Sequence, residues 1–265
     1  MENFLLRCNE RILNEECIIG SDNCRECFKD SYFDGGADVY SCFRGCLYYA
    51  MYYFPIYISE AYYFLESSRL LETIGKANIN IVSLGGGIGP DYCAIKKYIS
   101  DQGLNINIHY TNYDNEENWR EIIAMHCDDQ SFVIHDLSKD SIKLTNIDIV
   151  FISKLFTTLI NNNKENDFFN AYRTSLKSLP SGSYVVYNDI VFPLAWRRFI
   201  GFMRVNGFAV RNKFYFMAPG VEANDFVGWT PIGSTDLAYD IDLSGLLFDI
   251  CQSVKKTVVI IFQKS

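Results

Sequence analysis

The stretch Asn80-Ile81-Val82-Ser83-Leu84-Gly85-Gly86-Gly87-Ile88-Gly89-Pro90-Asp91 constrains this chain more than any other. An apolar run enters a turn carrying Gly85, Gly86, Gly87 and Gly89, and a helix-like segment follows. Glycine lacks a Cβ. Such a turn lets a ligand press on the backbone and lets a helix start close above a strand. The start of that helix offers unpaired N–H groups and the positive end of its dipole. The pattern marks a nucleotide-type site. It is not the dinucleotide fingerprint: the third glycine position falls on Pro90 when counted from Gly85 and on Tyr92 when counted from Gly87. A P-loop is excluded too, since no Gly-Lys-Ser/Thr follows.

From residue 78 onward strand and helix patterns alternate. Strands are expected over 79–84, 105–111, 131–135, 147–152, 183–187, 213–217 and 257–262. Helices are expected near 90–100, 116–125, 166–178, 194–205 and 243–254. This order predicts an α/β domain over residues 77–265, with a mainly parallel sheet covered by helices on both faces. Residues 1–76 precede it as a Cys-rich helical extension. Within that extension, residues 47–74 place tyrosines and phenylalanines three and four apart. That spacing predicts helices, broken near Pro55. The tyrosine stripe is read first as core packing and second as a surface on which a substrate stacks.

Hydrophobic residues make up 49% of the 265, ample for one sizeable core plus an appendage. No apolar run is long enough to span a bilayer, and Met1–Arg7 does not open a signal peptide, so a cytoplasmic setting is expected. In a reducing compartment clustered cysteines point to metal rather than disulfides. Cys24 and Cys27, followed by Cys42 and Cys46, have the spacing of a structural Cys₄ zinc site. Cys8 and Cys17 are possible substitutes, and unliganded buried cysteines or an iron–sulfur cluster are the alternatives.

The motif Gly85-x-Gly87-x-Gly89 after a strand resembles the first motif of class I S-adenosylmethionine-dependent methyltransferases. The family usually carries an acid two places before the first glycine, where this chain has Ser83; Asp91, just past the loop, is a candidate substitute. The resemblance implies a Rossmann-like fold with a reversed end strand. It also implies that Gly85, Gly86, Gly87 and Gly89 cradle the cofactor and that an acid ending the second strand holds its ribose diol. Asp114 stands there, with Asn115 beside it; a helix cap is the competing role. Asp136 and Leu137, at the end of the third strand, match the positions that meet the adenine, a turn aspartate being the alternative. The transferable methyl should face the loop after the fourth strand, which holds Ser153 and Lys154. Lys154 is a candidate to orient an anionic substrate or lower the pKa of an acidic one, a solvated loop lysine being the alternative. Asp189, after the fifth strand, is a candidate general base or a cap. No Asp/Asn-Pro-Pro-Tyr/Phe signature of base-amine methylation is present.

These features imply a methyltransferase acting on a small metabolite or nucleotide. An RNA methyltransferase with an N-terminal zinc module, or a catalytically silent cofactor-binding sensor or partner subunit, is the alternative. The net charge of −8 argues against a global grip on nucleic acid. Yet residues 190–221 contain no Asp or Glu while holding Arg197, Arg198, Arg204, Arg211 and Lys213. This basic stretch is expected beside the mouth of the cofactor pocket, against an anionic part of the substrate. A solvated helix face is the competing reading. The sequence leaves the oligomeric state open.

Overall fold

The computed structural model describes residues 1–18, 23–27, 39–127, 129–216, 226–234, 236–254 and 256–265. The chain begins with α1 (Glu2–Asn14), a 3₁₀ turn (Val39–Ser41), the long α2 (Phe43–Ser68) and the short α3 (Leu70–Ile74). Alternation then sets in: β1 (Asn78–Leu84), α4 (Pro90–Asp101), β2 (Asn107–Asp114), α5 (Asn118–Ala124), β3 (Ser131–Ile134) and β4 (Ile149–Ser153). It continues with α6 (Phe156–Asn161), α7 (Glu165–Lys177), β5 (Tyr184–Ile190), α8 (Pro193–Val205), β6 (Phe208–Phe216), β7 (Thr230–Pro231) and β8 (Thr257–Lys264).

The strands form one sheet in the order β3-β2-β1-β4-β5-β8-β6-β7. Strands β1 to β5 are mutually parallel. The reversed strand is β8, antiparallel to both β5 and β6. It is the last strand of the chain and lies between them. The fold is therefore Rossmann-like α/β, mainly parallel with one reversed strand.

Side-chain alternation splits the core into two layers, one on each face of the sheet. Ile79 and Ile81 of β1, Val186 of β5, and Val259 and Ile261 of β8 pack with α1, α2 and α4. Val82 and Leu84, Val185 and Tyr187, and Val258, Ile260 and Phe262 pack with α6, α7 and α8. Burial on both faces is why these strands read as nearly continuous apolar runs. The described N-terminal helices share the first layer with the sheet.

Two expectations are corrected. Pro55 does not break the helix, for α2 runs unbroken through it. Its neighbours Phe54, Ile56 and Ile58 are buried, so packing outweighs the lost backbone hydrogen bond. The second correction concerns 243–254, which form no helix. Buried Ile250 and Val254 lead this segment across the helical layer. Its backbone is satisfied from outside: Leu247 N donates to Asn9 Oδ1 and Cys251 N to Tyr52 O, both at 2.9 Å. Tertiary partners replace the local hydrogen bonds a helix would make.

Candidate active site

The glycine loop joins β1 to α4. Gly85, Gly87 and Gly89 take φ of 66°, 53° and 78°, where a side chain would be strained. Gly86 is needed for space: a Cβ there would lie 2.5 Å from Asn112 Oδ1 and 2.6 Å from Ser83 Oγ. Two side chains of β2 clip the loop from below. Asn112 Nδ2 donates to Gly87 O at 2.7 Å, and Gly87 N donates to Asp114 Oδ2 at 2.9 Å. Asn112 and Asp114 are two apart on one strand, so alternation sends both to the same face.

Asp114 also accepts from Glu116 N at 3.1 Å, so it shapes the turn after β2 as well as the loop. Burial pushes its carboxyl up to about 6, against the pull of the backbone N–H groups of Gly87, Glu116 and Asn115. Gly87 N reaches Oδ2 and Glu116 N reaches Oδ1, and each carboxylate oxygen has two lone pairs. Capacity to accept a diol therefore remains. Asp91 is buried beneath the loop and accepts from Tyr110 Oη at 2.8 Å. Burial raises its pKa, with Tyr110 and Ser83 opposing. Ser83 is fully buried beneath Gly86 and does not border the cavity.

A cavity of about 250 Å³ extends from Gly85–Gly87 past Asp91, Asp114 and Asn115, along Asp136 and Leu137, to Ser153, Lys154 and Asn188. It thus lies at the carboxyl ends of β1, β2, β4 and β5. Asp136 is held by Ser138 N at 3.0 Å, Ser138 Oγ at 2.6 Å and Lys139 Nζ at 2.9 Å. Burial raises its pKa, but these partners prevail and hold the carboxyl near 2. Its side chain fixes the turn after β3 while its residue lines the cavity.

The structure adds residues that the sequence reading missed. Tyr40, Tyr49 and Tyr57, from the 3₁₀ turn and α2, border the same cavity with Trp119 of α5. Tyr49 hydrogen-bonds Tyr40 and Tyr57, and burial raises the pKa of all three phenols far above their usual range. The tyrosine stripe packs as core, the first role read for it, and two of its members, Tyr49 and Tyr57, also wall a cavity. Beside Tyr57, Lys154 Nζ meets Glu60 Oε2 at 2.5 Å. The Lys154 side chain is 10% exposed and that of Glu60 is 3% exposed, so this is a buried ion pair. Asn188 Nδ2 and Thr257 Oγ1 donate to Glu60 at 3.3 and 2.9 Å. The Lys154 ammonium lies 5.0 Å from the centre of the Tyr57 ring. An isolated glutamate in an aromatic helix gave no signal of this role.

Three expectations change. Asp189 does not border the cavity. It is buried, and its oxygens accept from Thr157 N, which opens α6, and from Ile190 N, each at 2.8 Å. It acts as a cap for α6 rather than a base at the cavity. Burial raises its pKa, with Lys154 opposing.

For zinc, no group of three or more His, Cys, Asp or Glu among the described residues is arranged to hold a metal. Cys24, Cys27, Cys42 and Cys46 do not form the expected set. Cys46 Sγ turns to Tyr40 O at 3.1 Å, and burial pushes its thiol pKa well up. Burial raises the pKa of the Cys24 thiol, Arg44 opposes, and the thiols of Cys17, Cys42 and Cys27 add to the rise.

The basic stretch is not at the mouth. None of Arg197, Arg198, Arg204, Arg211 and Lys213 borders the glycine-loop cavity. The turn from α8 into β6 carries Arg204, Arg211 and Lys213 to a separate cavity, while Arg198 pairs with Glu165. Among the described residues, no helix is long and apolar enough to cross a membrane.

No family model matches the chain, and no curated protein matches it. Solved structures do. They include a TehB-like S-adenosylmethionine-dependent methyltransferase from Corynebacterium glutamicum, at 15% identity over 76% of this chain and 93% of that one, with a TM-score of 0.46. The glycopeptide N-methyltransferase MtfA, solved with sinefungin, matches at 13% identity over 78% and 94%, with a TM-score of 0.47. A protein described as a class I S-adenosylmethionine-dependent methyltransferase from Listeria monocytogenes matches at 10% identity over 78% and 60%, with a TM-score of 0.49. All three of these structural neighbours are described as methyltransferases, one of them as class I, and no subfamily emerges among them. At such distances the likeness carries no argument about substrate or activity.

Proposed function

We propose that the chain binds S-adenosylmethionine at the glycine loop and transfers its methyl group to a small metabolite or nucleotide. One observation carries this reading: the loop is clipped by Asn112 and Asp114 of β2 at the head of a cavity that continues to the ends of β4 and β5. Gly85–Gly87 would cradle the methionine part, Asp114 with Asn115 the ribose, and Leu137 the adenine. Asp136 holds the turn that presents Leu137. The cofactor supplies a sulfonium methyl, and the protein's task is to align an acceptor and exclude water. Tyr40, Tyr49 and Tyr57 form a wall that suits a small acceptor better than a polymer.

A second reading is a silent cofactor binder. It draws support from Ser83, which lies beneath Gly86 where the family carries an acid, and from Asp189, which caps α6 instead of facing the cavity. Calorimetry with S-adenosylhomocysteine tests the shared part. Micromolar binding that is lost in Gly86→Ala is expected; no binding by the wild-type chain removes both readings. Release of S-adenosylhomocysteine against a metabolite and nucleotide pool then separates the enzyme from the silent binder.

A further inference from the structure

The five cations between residues 190 and 221 have separate fates. Arg198 pairs with Glu165, and Arg197 lies 5.0 Å from the Trp196 ring centre. Arg204, Arg211 and Lys213 line one cavity of about 380 Å³ with Asn212 and Thr230. This cavity shares no lining residue with the one at the glycine loop.

The convergence has a structural cause. A regular strand would turn Arg211 and Lys213 to one face and Asn212 to the other. The pairing of β6 with β8 slips between Val210 and Asn212, so Arg211 sits in a bulge. Bulges re-aim side chains. In addition, β7 pairs with Phe214 and Tyr215, and among the described residues no strand pairs with the first half of β6 on that side. Arg204 arrives from the last turn of α8.

Charge on an open edge is a common guard against strand pairing, and a cation suits the end of a helix. Those roles explain each cation alone. They do not call for three cations from two elements on one cavity, and among the described residues none of the three pairs with a carboxylate. Two are also held in place. Arg211 Nε donates to Gln263 Oε1 at 2.6 Å, and Lys213 Nζ lies 5.2 Å from the Trp229 ring centre.

We propose that this cavity binds phosphate groups. Arg204, Arg211 and Lys213 supply the charge, and Asn212 and Thr230 supply neutral hydrogen bonds. Guanidinium forks match phosphate oxygens in pairs, and an ammonium adds a point charge. The source is an RNA strand, a mononucleotide or free phosphate, and the three share this chemistry.

The test uses the full chain and a fluorescein-labelled single-stranded RNA 12-mer at low salt, with adenosine monophosphate and inorganic phosphate as competitors. The triple variant Arg204→Gln, Arg211→Gln and Lys213→Gln should lose at least about tenfold in affinity. Arg7→Gln, Lys143→Gln and Lys177→Gln, which change net charge equally at exposed sites, should stay within about twofold of wild type. With three phosphates engaged, affinity should fall roughly 20-fold between 50 and 200 mM salt. Displacement of the RNA by the mononucleotide or phosphate at equal phosphate concentration assigns the site to a small ligand; resistance to both assigns it to a strand.

The proposal is overturned if none of the three ligands binds, or if both triple variants lose affinity equally. It is also overturned if the first triple variant binds like wild type but self-associates, which would show edge protection. Should that variant fail to fold by circular dichroism, Arg204→Gln alone, exposed on α8, should lose about threefold. Binding of S-adenosylhomocysteine should be unchanged in every one of these variants, so failure here leaves the glycine-loop reading intact.

Discussion

The floor and the wall of the cavity are built differently. The floor is local in sequence: Gly85–Gly89 and their clips Asn112 and Asp114 come from one strand-loop-helix unit and the next strand. The wall is remote. Tyr57 comes from α2, as does Glu60 behind the lining, and Glu60 meets Lys154, Asn188 and Thr257, which follow far along the chain. A turn that must admit a ligand leaves a mark in composition, whereas a contact between distant residues leaves none. The floor should therefore respond to shape and to the titration of Asp114, and the wall to the loss of either partner of its ion pair.

The largest effect should come from the wall. Glu60→Gln leaves the Lys154 ammonium buried beside a neutral amide. Breaking a buried pair in this way costs about 4 kcal/mol, read as a drop in the urea midpoint. Glu60→Met with Lys154→Met should recover most of that loss, because neither member of the pair is left without the other. A double variant as unstable as the single one would show that the pair itself does not matter.

Next comes the pH response of the floor. The folded pKa of Asp114, about 6, lies above its usual 3.8, so between these values the folded chain holds a proton that the unfolded chain has released. This contribution is fully present below pH 4 and is lost as pH rises through 6. Its size is at most about 3 kcal/mol. Asp114→Asn should flatten that slope in urea titrations run from pH 4 to 7. In the other direction, the ionised form is the one that accepts a diol. Affinity for S-adenosylhomocysteine should fall up to about tenfold per pH unit below 6 in wild type and stay level in Asp114→Asn.

A smaller loss tests shape. Gly86→Ala must push against Asn112 and Ser83, and overpacking of this kind costs about 2 kcal/mol. Gly201→Ala, in α8 with nothing within 4 Å of the added Cβ, should instead stabilise by about 0.5 kcal/mol. Equal effects at the two sites would remove the claim that the loop is tightly cradled. The smallest effect belongs outside both regions. Arg198→Gln breaks an ion pair whose arginine is 46% exposed. It should cost well under 1 kcal/mol in thermal melts and leave cofactor affinity unchanged.

The sequence by itself determined the α/β alternation, the strands buried on both faces, the glycine turn and the acid that ends the second strand. Each is set by neighbours a few residues apart: period-two or period-three-to-four patterning, or a backbone geometry that only glycine accepts easily. Only the tertiary structure decided that α2 continues through Pro55, because burial of Phe54, Ile56 and Ile58 outweighs a local rule. It alone decided that Asp189 turns to α6 and that Glu60 meets Lys154. It also turned Cys46 Sγ to Tyr40 O and, through a bulge in β6, carried Arg204, Arg211 and Lys213 away from the glycine loop. These outcomes depend on which of several equally suitable partners comes within hydrogen-bonding or Coulomb range. That distance is fixed by how the layers stack, and spacing along the chain does not record it.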